Sequence, residues 1–146
     1  MMTTKSPADE IAAAKARYCR FIDTKQWEAF AGLLAEAPKI RMFGPDGDLL
    51  FAFDEREAFV ALSSQFLAKG RSIHQIHNAE IDELPDGRVA AVWSMEDVIV
   101  FPDAAPDETA RMNGYGHYHE IWERGPDGWR IAELELRRTI LDISQA

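Results

Sequence analysis

The second half of the chain limits its fold more than any other feature. From Arg71 onward the sequence reads as four extended runs, at 71–83, 87–101, 111–124 and 128–142. Successive side chains on a strand point to opposite faces, so such runs form a sheet with one face turned to a core. Pro85-Asp86-Gly87 and Gly125-Pro126-Asp127-Gly128 supply the residues that tight turns need. The remaining connection, Pro102 to Ala110, is longer and carries two prolines. A chain ending this way is an antiparallel meander, and its apolar face needs a cover.

The first 70 residues provide it. Ile11, Ala14, Tyr18, Phe21 and Ile22 recur at helical spacing, predicting a helix over 8–24. Ser6-Pro7 gives it a start, and Asp9 and Glu10 suit the positive end of its dipole. Thr24 breaks the pattern. A second, short helix is expected to bury Trp27, Phe30, Leu33 and Leu34 and to stop at Pro38. Ile40–Phe43 and Leu49–Phe53 flank Gly44-Pro45-Asp46-Gly47, a hairpin signal. Asp54, with Glu57 three residues on, reads as the cap of a third helix. Phe59, Leu62, Phe66 and Leu67 would be its apolar face, and Gly70 its end. The order is α+β, with helices on one face of a curved sheet. With no repeat and no linker, residues 1–146 form a single domain, its core at about 8–142.

Composition narrows the function. Hydrophobic residues make up 47% and charged residues 28% of 146 residues, enough apolar material for a buried core. No stretch approaches the roughly 20 apolar residues of a membrane helix, and the first residues, Met1 to Pro7, lack the apolar region of a signal peptide. No membrane partner and a cytoplasmic location are expected. A net charge of −9 repels phosphate backbones, so nucleic acid is not an expected partner. The single cysteine, Cys19, excludes an internal disulfide and reads as a core thiol. His117 and His119 would share a strand face, but no acidic or cysteine cluster completes a metal site, so no metal is expected.

Several segments resemble SnoaL-like proteins of the nuclear transport factor 2-like superfamily. They are Tyr18 to Trp27 (YCRFIDTKQW), Ser72 to Ile81 (SIHQIHNAEI), Gly116 to Glu120 (GHYHE) and Gly128 to Ala132 (GWRIA). The likeness runs from about residue 8 to 142. It implies a cone-shaped α+β barrel, with three N-terminal helices packed on a strongly curved, mostly antiparallel sheet around one apolar pocket. Ketosteroid isomerase, scytalone dehydratase, polyketide cyclases, bile-acid dehydratase, hexachlorocyclohexane dehydrochlorinase and the small subunits of ring-hydroxylating dioxygenases share it. Fold alone does not choose among them. The dehydratase and dehydrochlorinase members place an Asp late in the first helix and a His at the start of the first long strand, as Asp23 and His74 stand here. The bile-acid dehydratase adds a tyrosine five residues before that Asp, matched by Tyr18, and an arginine on the last strand. The resemblance also implies a homodimer or homotrimer, formed through the open face of the sheet.

The chemistry stands on its own terms. A histidine titrates near working pH, and a carboxylate partner fixes its tautomer and stabilises the imidazolium. On the last strand Ala132, Leu134, Leu136, Arg138 and Ile140 alternate, which puts Arg138 inside and Arg137 outside unless a bulge intervenes. An inward arginine needs a carboxylate, an enolate or a carbonyl for its charge. Trp93, Met95 and Tyr118 are candidate lining residues for a small apolar substrate. The expectation is a lyase or isomerase without cofactor that takes a proton from carbon. A non-catalytic binding or scaffold protein is the alternative, and a subunit of a larger assembly ranks third. Plainer roles stand beside these: Asp23 as a cap for the second helix, His74 as a core histidine, Tyr18 as packing, and Arg138 in a surface ion pair.

Overall fold

The computed structural model describes residues 4–146; Met1–Thr3, part of the segment read as lacking a signal peptide, lie outside the described residues. Helix α1 (Pro7–Asp23) begins where Ser6 accepts the Asp9 N–H at 3.2 Å, and it buries Ile11, Ala14, Tyr18 and Ile22. Helix α2 (Trp27–Ala31) is a single turn and a little more. It does not reach Leu34, which instead opens strand β1 (Leu34–Phe43). The expected stop at Pro38 is thus corrected: the proline sits inside a strand. Pairing is irregular between Leu34 and Lys39, so the missing N–H breaks no ladder bond there.

Strand β2 (Leu49–Phe53) pairs antiparallel with β1 across the expected turn. Gly47 sits there at φ +85°, a conformation open to glycine. Helix α3 (Arg56–Leu67) follows, but Asp54 does not cap it. The N-cap is Glu55, without a side-chain bond, because Arg41 holds the Asp54 carboxylate at 3.0 Å. Four long strands complete the chain: β3 (Arg71–Glu83), β4 (Val89–Val100), β5 (Thr109–Gly125) and β6 (Gly128–Gln145).

The six strands lie in the order β2-β1-β6-β5-β4-β3. Only β1 and β6 run parallel. The sheet curves around the three helices without closing, so the cone is an open barrel whose edges are β2 and β3. No helix among the described residues is long and apolar enough to cross a membrane.

Alternation along β4 is regular: Val89, Ala91, Trp93, Met95, Asp97 and Ile99 all face inward and are buried. On β5 the inward set is Gly114, Gly116, Tyr118, Glu120 and Trp122, which leaves His117 and His119 exposed outside. On β6 the expected inward Ala132 is instead an extra residue, since Ile131 pairs with Trp122 and Glu133 with Ile121. The alternation holds from Leu134 through Arg138 and then changes again. Gly116 pairs with Arg138 and Tyr115 with Ile140, so Thr139 is an extra residue. Ile140 therefore faces outward, against expectation, and Leu141 turns in to the cavity.

The narrow part of the cone holds a fully buried ion pair between Lys15 of α1 and Glu120 of β5. Glu120 accepts the indole N–H groups of Trp93 at 2.7 Å and Trp122 at 2.9 Å. The Lys15 ammonium lies 3.5 Å from the ring centre of Tyr18 and 3.6 Å from that of Tyr118. These groups fill that end of the interior. The wider end stays open.

Candidate active site

That open end is a cavity of about 210 Å³. Phe53, Phe59, Leu67 and Leu136 form much of its wall, and Leu50, Phe51, Leu62 and Phe66 stand partly exposed around it. Leu62 and Phe66 are therefore not core residues of α3, as their spacing suggested, but apolar groups lining the cavity. Polar residues gather on the wall made by β3, β4 and β6.

Asp23 is the last residue of α1, and α1 packs against β3. Its Oδ1 accepts the Ser72 hydroxyl at 2.9 Å and meets His74 Nδ1 at 2.7 Å, while Oδ2 accepts the His74 backbone N–H at 2.9 Å. The carboxylate is thus fully occupied by β3. It does not cap α2, whose N-cap is Gln26. A carboxylate on Nδ1 selects the tautomer with the proton there, which leaves Nε2 as an acceptor.

His74 lines the cavity, and its Nε2 lies 3.8 Å from Asp97 Oδ2. His74 and Asp97 are cross-strand partners, and Asp97 is in turn the partner of Gly114. Arg138 reaches over this row and donates to Asp97 from both Nη atoms, at 2.8 and 2.9 Å. A side chain on Gly114 would overlap both members of the pair, so the glycine is what lets them lie flat on β5. Burial alone would raise the Asp97 carboxyl. The hydrogen bonds and charge of Arg138, with His74 contributing less, hold it below the ordinary aspartate value. Burial likewise opposes the Arg138 charge, and Asp97 restores it. Arg137 points away, into an ion pair with Glu135 at 2.7 Å.

Tyr18 and Tyr118 both line the cavity, with ring centres 6.0 Å apart in an edge-on arrangement. Burial pushes both phenols well above their usual value, so each is a neutral O–H at physiological pH. Cys19 is buried behind them, its thiol pushed up to about 11.

Of the residues picked out from sequence, Asp23, His74, Tyr18, Tyr118 and Arg138 converge on this wall. Trp93 and Met95 do not line the cavity. They share the inward face of β4 with Asp97 but sit further along it, where Trp93 is held by Glu120. Two contributors escaped the sequence reading. Asp97 was visible as an acidic residue at an inward position of an apolar alternation, and Ser72 as the inward residue two before His74.

The open cone is that of the nuclear transport factor 2-like proteins. Within that class the chain belongs to the SnoaL-like domain family, which matches it over residues 6–135. A Gibberella zeae protein named as a probable cyclase, FGR4, is 25% identical over 146 residues, spanning 94% of this chain and 95% of its own. A Novosphingobium aromaticivorans structure provisionally assigned as a scytalone dehydratase is 17% identical, with a TM-score of 0.77 over 94% of this chain and 87% of that one. A type 2 hexachlorocyclohexane dehydrochlorinase, LinA, is 12% identical, with a TM-score of 0.75 over 94% and 88%. At such identities the two solved structures speak for the fold alone.

Proposed function

We propose that this protein is a cofactor-independent lyase or isomerase, dehydratase-like in mechanism, that removes a carbon-bound proton from a small apolar, cyclic substrate. The observation carrying this reading is the 2.7 Å contact from Asp23 to His74 Nδ1, in a residue that also lines an apolar cavity. Asp23 orients the imidazole, and Nε2 takes the proton from a carbon next to a carbonyl. The electron pair of the broken C–H bond moves toward the carbonyl oxygen, where Arg138 or a tyrosine hydroxyl donates to the developing charge. In an elimination the pair then expels a hydroxyl from the neighbouring carbon, and a neutral phenol such as Tyr18 protonates it.

Asp23 and Asp97 stand 2.7 and 3.8 Å from the two ring nitrogens, as counter-charges beside the proton the ring accepts. Base, donors and counter-charges are all side chains, so the reaction as written calls for no cofactor. The SnoaL-like family and the probable cyclase among the relatives support a reaction of this class.

The test is turnover of a substrate found by screening cyclic hydroxyketones. His74→Ala and Asp23→Asn should each lower kcat by about 10²–10⁴, the worth of a general base. Undiminished turnover in both variants would sink the mechanism. Ligand binding without turnover, unchanged by either substitution, would establish a binding protein instead.

A further inference from the structure

The cavity wall carries one cation among the described residues, Arg138, and Asp97 occupies it with both oxygens at 2.8 and 2.9 Å. Lys15 is close by but lies beneath the tyrosine rings, closed off from solvent and committed to Glu120. Behind His74 stands a second carboxylate, Asp23. Two carboxylates set against one guanidinium leave the wall with one net negative charge while His74 is neutral. The rest of the lining is apolar apart from the uncharged hydroxyls of Ser63, Tyr18 and Tyr118, so no second cation faces an incoming anion.

We propose that the cavity is built to take neutral ring compounds bearing a carbonyl or hydroxyl, and to exclude carboxylates and other anions. The device responsible is the Asp97–Arg138 pair. A guanidinium has more N–H donors than one carboxylate uses, so Arg138 can still donate to a neutral oxygen. Its charge is already balanced. An incoming carboxylate would have to displace Asp97, which is seated over Gly114 beside His74, and leave that aspartate buried without a partner. A ketone needs no such exchange.

This deepens the proposed function by naming the charge class of its substrate, and it rests only on the cavity being a binding site, not on His74 being a base. The two can fail separately, because the measurement reads binding without turnover. Calorimetric titration at pH 7 with two probes of matched shape, 2-acetylnaphthalene and 2-naphthoate, tests it directly. The wild-type protein should bind the ketone about tenfold more tightly or better. Asp97→Asn frees the guanidinium charge and should tighten naphthoate binding by about tenfold, with little gain for the ketone. The double variant Asp97→Asn/Arg138→Gln should lose that gain. Equal or stronger binding of naphthoate by the wild type, or binding of neither probe, overturns the inference. Because the wild-type comparison needs no variant, a misfolded Asp97→Asn protein does not shield the proposal.

Discussion

Gly114 shows how much a missing side chain can decide. Any Cβ there would collide with Arg138 and Asp97 together, both tied by well-formed hydrogen bonds. Gly114→Ala should cost roughly 1–3 kcal/mol, as overpacking does, and it should separate the pair. Chemical denaturation checks the first effect; the ketone and naphthoate titrations check the second, since a displaced Asp97 would relax the charge discrimination. Single residues were also where the sequence was read best. Asp23 and His74 were picked out by the resemblance to the dehydratase members, which also implied an arginine on the last strand, and alternation alone separated Arg138 from Arg137. Asp97 was less legible because every other inward residue of its strand is apolar, which gives the strand the pattern of a plain core element. An acidic residue in an inward alternation is a buried charge, and a buried charge needs a partner. The same rule, applied to Tyr118-Glu120-Trp122, would have exposed Glu120.

Among the elements, the contact between α1 and β5 is the least ordinary. It is made through Lys15 and Glu120, which have no exposed surface at all, rather than through aliphatic groups alone. The two indole N–H groups and two tyrosine faces compensate part of the desolvation. Removing one charge leaves the other buried, so Lys15→Met or Glu120→Gln should each destabilise by about 3–5 kcal/mol. The double variant should recover a large part of that, a coupling that a denaturation cycle over the four proteins measures directly. Element boundaries were legible where a cap or turn fixed them, as at Ser6 and Gly47, and illegible where tertiary contacts overrode the local signal. Pro38 looked like a terminator, but β1 passes through it because the ladder to β6 is interrupted at that point. Asp54 looked like a cap, but Arg41 claimed its carboxylate.

The architecture of the whole molecule followed from its sequence order: helices first, then a long meander. Curvature that stops short of closure did not, because no alternation pattern states how many hydrogen-bonded partners the outermost strands will have. Openness has a consequence apart from chemistry. As an outer strand, β3 has backbone N–H groups with no neighbouring strand on one side, and Asp23 takes one of them, that of His74, along with the adjacent Ser72 hydroxyl. The aspartate that orients the imidazole is thereby also a guard against self-association, blocking a strand from another copy where it would otherwise pair. Asparagine keeps a carbonyl oxygen to accept from that backbone N–H, whereas alanine leaves it bare. Asp23→Ala should therefore form light-scattering aggregates on warming sooner than Asp23→Asn, even though both lose the carboxylate that His74 needs.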